Sequence, residues 1–147
     1  MKNPYVKIEN EIRRWLESKG YDVSYSFGVI GISIILFQKI SDVNLKEFND
    51  EFNCNLTLNE VTVNQFGKKF LYCCFPPRLK EFRSYVNQWL NYHKFPVNIG
   101  FYSENISLKC YDELSGHQIK DFENEFEVRC SGYSISSGRN EYKYVFQ

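Results

Sequence analysis

Phe48-Asn49-Asp50-Glu51-Phe52 returns 74 positions later as Phe122-Glu123-Asn124-Glu125-Phe126, with both phenylalanines and the acid before the second one kept. The same shift lays Trp15-Leu16 on Trp89-Leu90 and Val23-x-x-x-Phe27 on Val97-x-x-x-Phe101. Ile32-Ser33 meets Ile106-Ser107, Ser41 meets Ser115, Lys46 meets Lys120 and Lys69 meets Lys143, so the match is expected to need no gap from the first helix to the last strand. Self-similarity at a fixed period is the signature of one unit used twice. The matched positions are mostly large and apolar, as expected when packing is kept while surfaces diverge.

Outward from these anchors, local structure follows from spacing. Tyr5, Ile8, Ile12 and Trp15-Leu16 recur at helical intervals, with Lys7, Arg13, Arg14 and Glu17 between them, and Lys19-Gly20 ends the pattern as a helix C-terminus does. Leu79, Phe82, Val86 and Trp89-Leu90 repeat it after Pro76-Pro77, where a first helical turn tolerates proline. Each helix is followed by alternation, Val23, Tyr25, Phe27 and then Val97, Ile99, Phe101, which predicts half-buried strands with those side chains on one face. Turns at Gly28 and at Ser103-Glu104-Asn105 lead to second strands over 30–37 and 106–111. Short helices carry Leu45, Phe48, Phe52 and Ile119, Phe122, Phe126, with Ser41 and Ser115 placed to cap them. Strands from Cys54 toward Val63 and over 128–135 then pair with strands over 69–75 and 142–146.

The expected fold is therefore α+β: a tandem repeat of two αββαββ units, 1–75 and 76–147, each an antiparallel sheet with helices packed on one face, joined as a pseudo-two-fold single body. A unit of that size alone buries only about 60% of its unfolded surface, which favours packing of the two. The element order is also what circular permutation of a ferredoxin-like unit produces, a topological remark that licenses no activity.

Composition narrows the function classes. Eighteen Lys plus Arg balance eighteen Asp plus Glu, which cancels the global field that a DNA-coating or DNA-mimicking protein uses. Met1-Lys2-Asn3-Pro4 opens no apolar leader, and the most apolar run, Val29 to Phe37, is far short of the roughly 20 residues of a membrane helix. Five cysteines, 54, 73, 74, 110 and 130, sit inside element patterns rather than in turns, so buried thiols and a cytoplasmic location are expected. The sequons Asn55-Leu56-Thr57 and Asn105-Ile106-Ser107 are then not expected to meet glycosylating enzymes.

No catalytic, metal or cofactor motif appears. His93 and His117 lack the spacing that gathers metal ligands, and His93 reads as a helix-end cation. Cys73-Cys74 would point to opposite faces of a strand, unlike a redox pair, and Cys110 with His117 lacks a third orienting group. Gly28-Val29-Ile30-Gly31 is no phosphate loop, since no Lys-Ser or Lys-Thr follows it into a helix.

Charge is segregated by element. Asp42, Glu47, Asp50 and Glu51, then Asp112, Glu113, Asp121, Glu123, Glu125 and Glu127, mark the short helices and their flanks. Lys7, Arg13, Arg14 and Lys19 mark the first long helix, and Lys68, Lys69, Arg78, Lys80, Arg83 and Lys94 surround the second. Solvated faces whose fields cancel between neighbours are the plainer account. On the open sheet face of the second half, Asn98, Gly100, Ser107, Lys109, Arg129, Ser131, Tyr133 and Lys143 are expected together. The matching face of the first half, with Ile35, Leu71 and Cys73, is apolar enough to need a cover from the other half, a second copy of the chain or a target protein.

These observations favour a non-enzymatic cytosolic protein-binding module, such as a small inhibitor of the toxin-immunity or phage anti-defence kind. Its partner is expected to be another protein, gripped by Lys109, Arg129, Tyr133 and Lys143, with Asp121, Glu123 and Glu125 as an alternative acidic surface. The alternative function is nucleic-acid or nucleotide binding through Lys68, Lys69, Arg78, Lys80 and Arg83 beside the open sheet face.

Overall fold

The computed structural model describes residues 1–27, 31–102, 105–136, 138 and 140–147, with the backbone alone at 25, 27 and 98–102. The chain is α+β, and the described residues form four helices and two antiparallel sheets. It divides into two compact units, Pro4–Lys80 and Met1–Asn3 with Glu81–Gln147.

In the first unit, α1 (Tyr5–Ser18), β1 (Val23–Phe27), β2 (Ile32–Leu36), α2 (Asp42–Phe52), β3 (Thr57–Asn64) and β4 (Gly67–Cys74) give a sheet of order β1-β2-β4-β3. The remaining elements are α3 (Pro77–Tyr92), β5 (Val97–Tyr102), β6 (Ile106–Cys110), α4 (Gly116–Phe126), β7 (Cys130–Ser136) and β8 (Glu141–Phe146), and their sheet has the order β5-β6-β8-β7. The turn expectations at Gly28 and Ser103-Glu104, and the loop positions Ser137 and Arg139, lie outside the described residues.

Apolar periodicity explains why these elements form and where the cores sit. Ile32, Ile34 and Leu36 alternate inward on β2 against Tyr5, Ile8, Ile12 and Leu16 of α1 and Phe48 of α2. Ile106, Leu108 and Cys110 on β6 meet Phe82, Val86 and Leu90 of α3 and Phe122 and Phe126 of α4 in the same way. One tryptophan edge recurs in both: Trp15 stands edge-on to Phe48 at 5.4 Å and Phe52 at 6.1 Å, and Trp89 to Phe126 at 5.4 Å and Phe122 at 5.8 Å. Ser41 and Ser115 cap α2 and α4, Ser115 in a full capping box with Gln118.

A second recurring device ties each sheet to the start of its short helix. The buried amide of Ile40 donates to Tyr72 Oη at 2.9 Å, and that of Leu114 donates to Tyr144 Oη at 2.9 Å. Burial holds both phenols above their ordinary pKa, the accepted amide opposing it.

Pairing corrects two expectations. Ile34 pairs with Tyr72, and Leu108 with Tyr144, so the central strands are related by a shift of 74 but their partners by 72. The last hairpin is two residues shorter in the second unit, and the counterpart of Lys143 is Leu71 rather than Lys69. The alternation on β1 and β5 also breaks. A bulge follows Val23, so Tyr25 pairs with Ile35 and Ser26 with inward Ile34; another follows Val97, so Ile99 pairs with Lys109 and Gly100 with Leu108. Ser26 accordingly accepts a hydrogen bond from Arg13 of α1 at 2.7 Å. The side chains of Tyr25, Phe27, Ile99 and Phe101 lie outside the described set.

Two predictions follow from this framework. Tyr72→Phe or Tyr144→Phe strands a buried amide, and each should cost about 1–3 kcal/mol in urea unfolding. Lys94 holds a left-handed φ of 56° where α1 is followed by Gly20 at 87°, so Lys94→Gly should stabilise by about 1 kcal/mol in the same assay.

Candidate functional site

The outward face of the second sheet is set by the inward one. With Leu108 and Tyr144 buried, their neighbours Lys109 and Lys143 must face out, and the register places these two lysines directly opposite each other. Ser134 continues the row on β7, and Ser107, Val145 and Gly132 form the next one. Arg129 exchanges both backbone hydrogen bonds with Gln147, each 2.9 Å, which puts it on the same side one step beyond Val145. Lys109, Lys143 and Arg129 are therefore brought to one outward face. Glu141, two positions along β8 from Lys143, is the acid at its far end.

Tyr133 does not join them. A bulge at Ser131 shifts β7 by one residue, so Tyr133 pairs with inward Tyr144 rather than standing beside Lys143. Its ring lies 5.0 Å from that of Tyr144 and stacks on Tyr142 at 6.4 Å, and its hydroxyl donates to Glu113 at 3.2 Å. Loss of solvent around the phenol and the Glu113 carboxylate push its pKa up to about 12. The expectation that it anchors the open face is corrected by one extra residue.

The acidic alternative breaks up too. Glu123 Oε2 accepts the backbone amide of Cys130 at 2.9 Å, as Asn49 Oδ1 accepts that of Leu56 at 2.8 Å in the first unit. These two side chains start β7 and β3, which is why those strands begin at Cys130 and Thr57 rather than at 128 and 54. Glu125 accepts the hydroxyl of Tyr85. Asp121 is exposed on α4. An open groove of about 650 Å³ does run past Glu123, but Lys120, Glu127 and Arg129 line it as well, so its charge is mixed.

Of the basic cluster expected around the second long helix, Lys69 and Arg78 lie far apart. Lys69 lies at one end of β4 and Arg78 beyond the other, five strand residues or ~17 Å away from Cys74 alone. Arg78 is paired with Glu11 at 2.6 Å, and Lys80 lies over the Phe75 ring at 5.7 Å. Lys19 of α1 reaches Glu47 of α2 at 3.0 Å, one case of fields cancelling between neighbouring helices.

Thiol and imidazole chemistry finds no assembled centre. Cys110 is fully buried, which raises its pKa to about 11, while His117 is exposed at the start of α4. His93 stacks on Trp89 at 4.1 Å just past α3. Cys73 and Cys74 do face opposite ways: Cys74 joins the core and hydrogen-bonds Cys54, which lowers the Cys54 pKa and raises that of Cys74. Cys73 lies outside, within reach of Ser33 at 3.3 Å and Asn59 at 3.1 Å. Those three, with Thr57, Asn55 and Phe75, line an open and uncharged groove of about 490 Å³. Among the described residues, no three His, Cys, Asp or Glu side chains group as a metal ion would need, and no helix is long and apolar enough to cross a membrane.

One feature had no forecast in the sequence. Strand β3 is exposed along its whole length, with Leu58, Val61 and Val63 in the open and Phe66 at the following turn 82% exposed. It is an edge strand of its sheet, bonded to β4 alone.

Glu123→Ala should cost about 1.5–3 kcal/mol in urea unfolding through the orphaned Cys130 amide, and Glu123→Gln should recover most of it. Asp121→Ala should leave stability within about 0.5 kcal/mol. No family model matches the chain, and no curated protein or solved structure shows significant similarity to it.

Proposed function

We propose that this chain is a non-enzymatic protein-binding module whose second unit grips an acidic partner surface with Lys109, Lys143 and Arg129. The observation that carries this reading is the cross-strand placement of Lys109 opposite Lys143 on an outward sheet face. A partner carboxylate set against these cations gives electrostatic complementarity and speeds encounter. Ser107, Gly132 and Ser134 are small neighbours of these cations on β6 and β7.

A cytosolic inhibitor of the toxin-immunity or phage anti-defence kind fits a mode of action by occupancy alone. We also take the two αββαββ units, 1–75 and 76–147 in outline, as copies of one ancestor, supported by the repeated tryptophan edge, tyrosine lock and serine cap. Under that reading the basic face is a feature of one copy, since Leu71 stands where the other has Lys143. Nucleic acid is the weaker reading for the same face, because Tyr133, the aromatic that would stack a base, lies on the other side.

The test is retention of partners from the native cell by the wild-type chain and by an Arg129→Glu/Lys143→Glu variant, read by mass spectrometry. A protein held by the first should be lost by the second, with affinity down at least about tenfold. Lys143→Glu also sets a carboxylate against Lys109, so the unfolding free energy should hold or rise by a few tenths of a kcal/mol. A retained set that is identical for both chains overturns the reading, and salt-dependent binding of an oligonucleotide would replace it with the nucleic-acid one.

A further inference from the structure

We propose that β3 is a self-association edge, on which β3 of a second copy of this chain adds antiparallel with Val61 opposite Val61. The strand closes one side of its sheet, next to β4 only, so its outer row of main-chain donors and acceptors faces away from the protein. All eight residues are exposed. Natural sheets blunt such an edge with proline, lysine, inward charge or a bulge; β3 has a bulge at Asn59, and from Glu60 to Asn64 its pairing runs in regular register. Here Thr57–Asn64 contains no proline and no lysine, and Glu60 is its one charged residue. Thr57, Val61, Thr62 and Val63 are β-branched and suit a paired strand. Edges β1, β5 and β7 are shorter, at 5, 6 and 7 residues.

The occupant follows from the match of the strand with itself. A two-fold axis normal to the sheet keeps each face on its own side, so the central residue pairs with its own copy. With Val61 at the centre, its β4 neighbour Phe70 completes an apolar row across four strands, Phe70–Val61–Val61–Phe70. On the other face Thr62 lies opposite Glu60 of the copy. Because Thr62 neighbours Lys69, each Glu60 falls in the same row as a lysine of the other copy, twice by symmetry. Centring on Glu60 would set two carboxylates against each other. Centring on Thr62 would put Glu60 opposite Asn64, whose neighbour is Gly67 and brings no cation. The Val61 register alone satisfies both rows. A strand pair of this length buries less than the ~1,200 Å² of a standard interface, so a weak, concentration-dependent dimer is expected.

Sedimentation of the whole chain over a concentration series reaching ~1 mM tests the proposal. The wild type should shift from monomer toward dimer, and Val61→Lys and, separately, Val63→Lys should stay monomeric. Both sites are largely exposed, at 46% and 67%, so far-ultraviolet circular dichroism should match the wild type. Val61→Cys should cross-link to itself on mild oxidation, since directly opposed strand residues have the Cα separation of a disulfide. The exposed helix site Val43→Cys should not. A wild type that is monomeric throughout overturns the proposal and leaves the edge to a foreign strand. A dimer that survives both lysine variants, or one that Val61→Cys fails to lock, overturns it as well.

Discussion

Each sheet of this protein has one face that two helices cover and one that they do not, and everything else about the molecule is arranged around that asymmetry. Burial of Ile32, Ile34 and Leu36, and of Ile106, Leu108 and Cys110, fixes which way every neighbouring side chain points. With close packing inside, those positions have no freedom to turn over, because a one-residue slip would expose the entire inward set. The helices are held by the same side chains. A tryptophan on the long helix wedges against two phenylalanines on the short one, and the short helix is located by a tyrosine hydroxyl reaching the amide just before it.

The parts legible in the sequence were those controlled by periodicity and by large apolar residues. Four helices, the order of the elements, the serine caps and the inward alternation of β2 and β6 all follow from spacing that water enforces directly. What misled was the bulge. Ser24, Asn59, Asn98 and Ser131 are the extra residues at four register shifts, and each is a small polar residue of the kind that ordinarily occupies an outward strand position. Nothing in their chemistry separates an extra residue from a regular one. Plain alternation puts Tyr133 on the outward face and the bulge at Ser131 turns it inward, while Lys109 and Lys143, on strands without a bulge between them, face outward as alternation requires.

Exposure was the second blind spot. Alternation reports that one side of a strand is apolar, not that a helix reaches far enough to cover it. The last hairpin of the first unit runs beyond its helices, so Val61 and Val63 keep an inward register and still meet solvent. The hairpin of the second unit is shorter, and Ser134 and Ser136 of β7 stand where β3 has Glu60 and Thr62. Two units of the same element order thus present different surfaces, one apolar at an edge and one basic on a face. Glu123 adds a caution about charge. A carboxylate in an acidic run can be a fixed acceptor for a backbone amide, and then belongs to the fold rather than to a recognition surface.

Gly31 carries this difference between the units into the backbone itself. A side-chain carbon there would lie 2.5 Å from the carbonyl oxygen of Cys74 and 2.8 Å from the ring of Phe75, so the chain at the head of β2 runs closer to its neighbour than any other amino acid allows. At the matching place before β6 stands Asn105, which has the carbon that Gly31 cannot have. Segments of the two units are therefore not interchangeable parts: a splice that carried Asn105 into the first would pry the strand ends open, however well the surrounding core positions agreed.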